Sequence, residues 1–186
     1  MKVKGVDHYD LNLIDHITKF TTAHLFVAER TKERCVEFLS QIKETCYDQI
    51  LYWHYTEKHK KVEDRKLITF VFDGFANYES AWSKLFYRVT KGIFGIPIKA
   101  KKGGLKHNNN HIERYNGKIK DRIKVMRGGF GSFAGAEAFM NLKDIIYNFV
   151  NPHQGLGRKT PAQKAGIKLK LGRNKLLGLI KYMARI

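Results

Sequence analysis

Leu67-Ile68-Thr69-Phe70-Val71-Phe72-Asp73-Gly74 is the stretch on which the reading of this chain turns. Its unbroken run of β-branched and aromatic residues predicts a strand buried on both faces, as in the middle of a layered α/β sheet. The abrupt polar stop puts Asp73 at the C-terminal end of that strand. Open α/β sheets place their ligands at that rim. The Asp-Gly pair also suits a plain turn after a strand, and spacing alone leaves both readings open.

Working outward, residues 9–15 and 21–28 alternate as half-buried strands do, and the short polar link 16–19 predicts a hairpin. Thr31 is placed to cap a helix reaching about residue 47, with Val36, Leu39 and Ile42–Lys43 as its inner stripe. The charged stretch 54–66 has no period and reads as a surface loop. Beyond Gly74 the pattern predicts a helix over 78–89, a short strand over 93–98 and a basic glycine-containing loop over 101–107. Further helices are expected over 111–126 and 134–150, with the glycine-rich break 128–131 between them. Ile112, Ile119, Ile123 and Met126 would face the core from the first of these. The loop 152–161 is bracketed by Pro152 and Pro161, and a basic tail follows from residue 168. The fold class is therefore α/β.

Charge narrows the function. The 186 residues carry 35 Lys and Arg against 17 Asp and Glu, a formal net charge of +18. Residues 1–100 hold 16 basic and 13 acidic side chains, a net of +3, and residues 101–186 hold 19 and 4, a net of +15. Such asymmetry calls for a polyanion at the second half, most simply nucleic acid. With 43% hydrophobic and 12% aromatic residues the chain is not a disordered polyelectrolyte. No apolar run approaches the ~20 residues of a membrane span, and the first residues hold no apolar secretory segment. A cytoplasmic location without membrane partners is expected. Cys35 and Cys46 are eleven apart on one helix, where a disulfide between them is geometrically impossible.

Two carboxylates stand out. Glu113 falls in the first turn of the basic helix after the glycine-containing loop, and Asp73 ends the central strand. Two hard oxygen ligands in a field of Lys and Arg suit Mg²⁺ and phosphate, because the metal offsets carboxylate repulsion and polarises phosphoryl oxygens. Lys120 lies seven residues beyond Glu113, on the same helix face, where it could hold a phosphate. Against this, Asn110-x-x-Glu113 also fits a capping box. His54 with His59, and His107 with His111, lack the cysteine partners of a closed zinc site. The segment 176–186 is basic and amphipathic enough for a membrane surface, although packing on the core or contact with DNA suits it better. Tyr52, Trp53, Tyr55 and Trp82 could stack on bases, but aromatics at helical or strand spacing usually fill cores.

The stretch His107-Asn108-Asn109-Asn110-His111-Ile112-Glu113-Arg114-Tyr115-Asn116-Gly117-Lys118-Ile119-Lys120-Asp121-Arg122, with Met126-Arg127-Gly128-Gly129-Phe130 after it, resembles the catalytic-glutamate helix of DDE transposases and integrases, above all the prokaryotic insertion-sequence type. Tyr147-Asn148-Phe149 and the run from Asn151-Pro152-His153-Gln154-Gly155 to Pro161-Ala162 look like the region that follows that helix. Phe72-Asp73-Gly74 with Tyr78 is similar to the family's second-aspartate motif, and 39 residues separate Asp73 from Glu113.

The resemblance implies a ribonuclease-H-like fold, a mixed five-stranded sheet flanked by helices with three strands before the first helix. It implies DNA cleavage and strand transfer with two Mg²⁺ (or Mn²⁺) ions held by an acidic triad, and transposon ends and target DNA as partners. Asp73 and Glu113 would be catalytic metal ligands. Lys106, Arg114, Lys118, Lys120, Arg122, Lys124 and Arg127 would contact DNA. The sequence departs from the family at its start, where only two clear strands precede the first helix. The first strand, with the first catalytic aspartate, is expected to be missing or shortened, with residues 2–6 as its stub. Asp15 matches a second-strand aspartate that is no metal ligand, and Asp7 and Asp10 do not match the motif as stand-ins. The expected organisation is a catalytic core over 1–167 and a basic tail over 168–186. Activity is expected to be impaired; the alternative is a non-catalytic DNA-binding remnant of a transposase, able to self-associate or co-assemble with a full-length relative.

Overall fold

The structure, a computed structural model, describes residues 1–96, 110–126 and 129–185. The chain divides into two compact units, Val27–Lys118 and Met1–Phe26 with Ile119–Ile186. Expectations that fall on residues 97–109 and 127–128, including the basic loop, Lys106 and Arg127, lie outside the described residues.

In the unit Val27–Lys118, helix α1 (Lys32–Glu57) starts where Thr31 predicts, its hydroxyl accepting the Arg34 N–H at 3.3 Å. It runs ten residues past its expected end, because no Gly or Pro interrupts the charged sequence after Tyr47. Its inner stripe is Cys35, Phe38, Leu39, Ile42 and Ile50, while Lys43 is exposed and lies over the Tyr47 ring. The helix closes on Arg65, which donates to the carbonyls of Lys58 and Lys60 at 2.8 and 3.0 Å and satisfies acceptors a helix end leaves open. Glu57, buried, accepts from Lys60 Nζ at 2.6 Å and from the Lys66 N–H at 2.8 Å.

Strand β5 (Thr69–Val71) pairs in parallel with β6 (Lys91–Ile93), Phe70 opposite Gly92, and α2 (Ala76–Phe86) makes the crossover. The expectation that both faces of this strand are buried is corrected. Phe70 and Phe72 are each 5% exposed, but Thr69 is exposed and Val71 half-buried. The apolar run fills one face with phenylalanine; Phe70 stacks on Phe86 at 5.1 Å and α1 packs beside α2. Cys35 and Cys46 are free thiols, and burial pushes the Cys35 pKa up to about 11.

In the other unit, residues 2–7 form a small hairpin of their own, β1 (Lys2–Val3) antiparallel to β2 (Val6–Asp7), turning through Lys4 and Gly5 at positive φ. Val3 bridges in parallel to Phe130. Strands β3 (Tyr9–Ile14) and β4 (Thr21–Val27) pair as the expected hairpin, so the described strands form three two-stranded sheets. Helix α3 (Asn110–Lys124) runs across the division between the units. Helix α4 (Phe133–Ile145), capped by Ser132, continues into a π-helical turn over Ile146–Val150. The expected loop 152–161 holds a 3-10 turn, Gln154–Leu156, and ends in the short helix α5 (Pro161–Lys164), whose cap Thr160 forms a full capping box with Gln163. The basic tail is partly ordered: helix α6 (Lys175–Met183) packs against the π-helical turn and buries Leu179.

Two polar contacts hold this unit. The buried Asn148 amide accepts the Thr21 N–H at 2.9 Å and donates to the Thr21 carbonyl at 3.2 Å, standing in for a neighbouring strand at the start of β4. His24 Nε2 lies 2.6 Å from Asp10 Oδ1, both side chains largely covered. Burial pushes the imidazole pKa down, but the hydrogen bond and charge of Asp10, with the charge of Asp144, outweigh it and hold the pKa above the ordinary 6.5.

Replacing Asn148 by Ala strands both Thr21 backbone groups and should cost about 2–4 kcal/mol in a urea melt. Because the His24 pKa is raised on folding, its stabilisation is full below its ordinary value and is lost as pH rises through the folded value. The melting temperature should therefore fall as pH rises above about 6.5 in the wild type, and this decline should be weaker in Asp10→Asn.

Candidate functional site

The strand β5 sequence carries Asp73 out of the sheet at a point fixed by backbone pairing on one side and ring stacking on the other. The Phe72 N–H donates to the Ile93 carbonyl at 2.8 Å, Ile96 donates to Phe72 at 3.2 Å and Gly95 to the Asp73 carbonyl at 3.3 Å. The Phe72 ring is stacked on Phe94 at 5.1 Å and on Tyr78 at 5.6 Å, so neither backbone nor ring can shift without the other. Two glycines make this approach feasible. A Cβ on Gly92 would lie 2.7 Å from the Phe94 ring and 2.9 Å from Trp82, and Gly95 turns at φ +74.

Asp73 is half-buried, and its Oδ1 accepts the Phe75 N–H at 3.1 Å. The plain-turn reading is thus realised, with one carboxylate oxygen closing the bend into α2. The other oxygen is not consumed by that bend, and among the described residues no Lys or Arg makes an ion pair with Asp73. Beside it, the Arg30 guanidinium lies 4.3 Å from the Phe75 ring centre, and the Asn77 amide donates to the Arg30 carbonyl at 2.9 Å. Arg30 has no spacing signal in the sequence that would have linked it to Asp73; only the fold of this unit brings it to Phe75.

Glu113 lies in the first turn of α3, half-buried. The residues before Asn110 lie outside the described ones, so the capping-box reading of Asn110 and Glu113 stays an expectation. Its charge still suits the positive end of the helix dipole. Among the described residues no Lys or Arg pairs with Glu113. Those residues also contain no group of three His, Cys, Asp or Glu placed to hold a metal ion.

The inner stripe of α3 is centred on Tyr115 and Ile119, with Ile112, Ile123 and Met126 half-buried around it. Tyr115 was not expected there; its ring sits one turn before Ile119 and completes the stripe. Arg114, Lys118, Lys120, Arg122 and Lys124 are all exposed. By helical spacing Lys120 and Lys124 fall on the Glu113 side, and Arg114, Lys118 and Arg122 line the opposite flank. Lys124 is partly engaged by Asp121 at 3.5 Å on the surface, a weak pair. Asp10 and Asp7, the stand-ins considered for a missing ligand, are differently occupied: Asp10 is bound to His24 and Asn12, and Asp7 is exposed in the terminal hairpin.

Comparison with known families matches part of the chain. Residues 94–161 match the family model of the integrase core domain. The match starts at Phe94, the residue stacked on Phe72, and contains Glu113 and the basic helix. No curated protein matches the chain. The mixed α/β architecture, with its parallel β5–β6 pair and flanking helices, is consistent with an integrase core of ribonuclease-H-like fold.

Proposed function

We propose that the chain is the core of a DDE-type transposase or integrase, acting on DNA, in which Asp73 and Glu113 are the acidic ligands of divalent metal. The observation that carries this reading is the integrase-core match, which holds Glu113 and begins on the residue stacked beside the Asp73 strand. The donor set suits Mg²⁺ or Mn²⁺: two hard carboxylates, half-buried, without a cationic partner among the described residues of a chain with 35 Lys and Arg. Bound there, such an ion would polarise a phosphoryl oxygen and lower the pKa of attacking water.

The residues of this chain would do the rest. Asp73, pinned through Phe72 and by its bond to Phe75, presents one oxygen in a fixed direction. Glu113 presents its carboxylate from a helix whose exposed Lys120 and Lys124 share its side and would hold the backbone phosphates. Arg114, Lys118 and Arg122 extend the cationic surface, and Lys106 and Arg127 belong to the same basic segment. A third ligand is part of this chemistry in the family, and neither Asp7 nor Asp10 matches the motif of the first aspartate, so cleavage is expected to be impaired. The net +15 of residues 101–186 favours one second reading, a remnant that binds DNA without cutting it and that pairs with itself or with a full-length relative.

Incubation of supercoiled plasmid with Mn²⁺ or Mg²⁺ separates the two. The catalytic reading expects trace nicking that disappears in Asp73→Ala and in Glu113→Ala; nicking that persists in both would contradict it. The remnant reading expects no nicking, with duplex binding that weakens at least tenfold between 50 and 200 mM salt and is unchanged by Asp73→Ala. Binding insensitive to salt would remove DNA from both.

A further inference from the structure

Three rings at the end of α1 take no part in the core or in the site around Asp73. Tyr52 is 68%, Trp53 47% and Tyr55 55% exposed, and they are the only large apolar side chains of α1 exposed to this degree. The contrast with Trp82 is direct: that indole is 7% exposed, with its N–H bonded to Thr90 Oγ1 at 2.9 Å. Helix α1 has apolar residues enough to fill its buried stripe, and these three rings lie outside it. Leaving aromatic faces in water is unfavourable unless a ligand covers them.

We propose that Tyr52, Trp53 and Tyr55 form a stacking site for the unpaired bases of single-stranded nucleic acid. Tyr52 and Tyr55, three apart, share one helix side, and Trp53 stands edge-on to Tyr52 with ring centres 6.1 Å apart. Lys58 Nζ lies 4.6 Å from the centre of the Tyr55 ring, so a cation already sits against the platform. Beyond it come Lys61 and Lys66, both exposed, and Arg65, whose guanidinium is anchored on the helix end. Lys60 is taken by Glu57, and Asp48, Glu63 and Asp64 are exposed nearby with opposing charge.

The local charge excess is therefore small, and ring stacking rather than phosphate attraction dominates this site. That balance separates it from the strongly basic α3, whose exposed surface carries cations but no aromatic ring. The three exposed rings of α1 are all aromatic, and Val62 is the exposed aliphatic side chain nearest them in sequence. A protein groove would meet mixed aliphatic side chains, whereas every base offers a flat π-face to a Tyr or Trp ring and a phosphate to Lys58 and Lys61. The ligand class rests on the proposed action on DNA, where strand cleavage and transfer create unpaired ends.

Fluorescence titration tests this, because the two tryptophans differ so sharply in exposure. Oligo(dT) of about 20 nucleotides, longer than one such platform needs, should quench the Trp53 emission and leave that of Trp82. Tyr52→Ala and Tyr55→Ala should each weaken oligo(dT) binding about tenfold, read by anisotropy of labelled oligonucleotide, with helix content unchanged by circular dichroism. Trp53→Phe should keep the affinity and lose the quench. Duplex binding by the same variants should match wild type. Absence of quenching, or ring variants that bind oligo(dT) like wild type, overturns the inference while duplex binding leaves the DNA reading standing. Loss of duplex binding as well in the wild type removes both. Self-association that Tyr52→Ala abolishes without DNA also overturns it, since the rings would then serve a second copy of the chain.

Discussion

The stacking of Phe72 between Tyr78 and Phe94 is the contact on which the candidate site depends. It links three things that sequence keeps apart: the strand that leads into Asp73, the helix that follows it, and the first residue of the integrase-core match. Phe70 and Phe86 extend the same column at 5.1 Å, and Trp82 closes on Phe94 at 5.5 Å. Rings packed this way are worth about 0.5–1.5 kcal/mol per pair beyond their burial, and they add to the backbone pairing that positions Asp73. Gly92 is needed because the Phe94 and Trp82 rings approach its backbone so closely, and Gly95 because its backbone turns at φ +74.

The other unit is held by polar contacts as well as by packing. Asn148 supplies Thr21 with the two hydrogen bonds that a neighbouring strand would give, and it does so from a π-helical turn against which α6 also packs. π-helical turns recur at functional positions because the extra residue re-aims a side chain, and here the re-aimed side chain is Asn148. His24 and Asp10 form a second buried polar pair in the same unit, with Asn12 on the other Asp10 oxygen at 2.7 Å. No helix among the described residues is long and apolar enough to cross a membrane.

Much of this was legible in the residue order. The hairpin over β3 and β4, the Thr31 cap, the placement of Asp73 and Glu113 at element ends and the exposure of the α3 cations all follow from periodicity and capping. The segment around Glu113 carried the resemblance, and it lies inside the region that matches the integrase core model. What the sequence hid has physical causes. The end of α1 was invisible because charge density imitates a loop, while the helix continued through Glu57 with Arg65 tied to its carbonyls. The burial of β5 was overestimated because a continuous apolar run does not say which faces are covered, and here Phe70 and Phe72 fill only one. Arg30 and Asn148 could not be placed at all, since each acts on residues far away in the chain.

Asp73 and Glu113 are proposed to hold one divalent ion between them. Titration of the protein with Mn²⁺, followed by loss of the free-ion electron paramagnetic resonance signal, reads this without requiring cleavage. Saturable binding of one ion is expected, weakening at least about tenfold in Asp73→Asn and in Glu113→Gln and further in the double variant, because each change removes one anionic oxygen donor from the same ion. Binding unchanged in either single variant would place that carboxylate outside the metal site and contradict a shared ion.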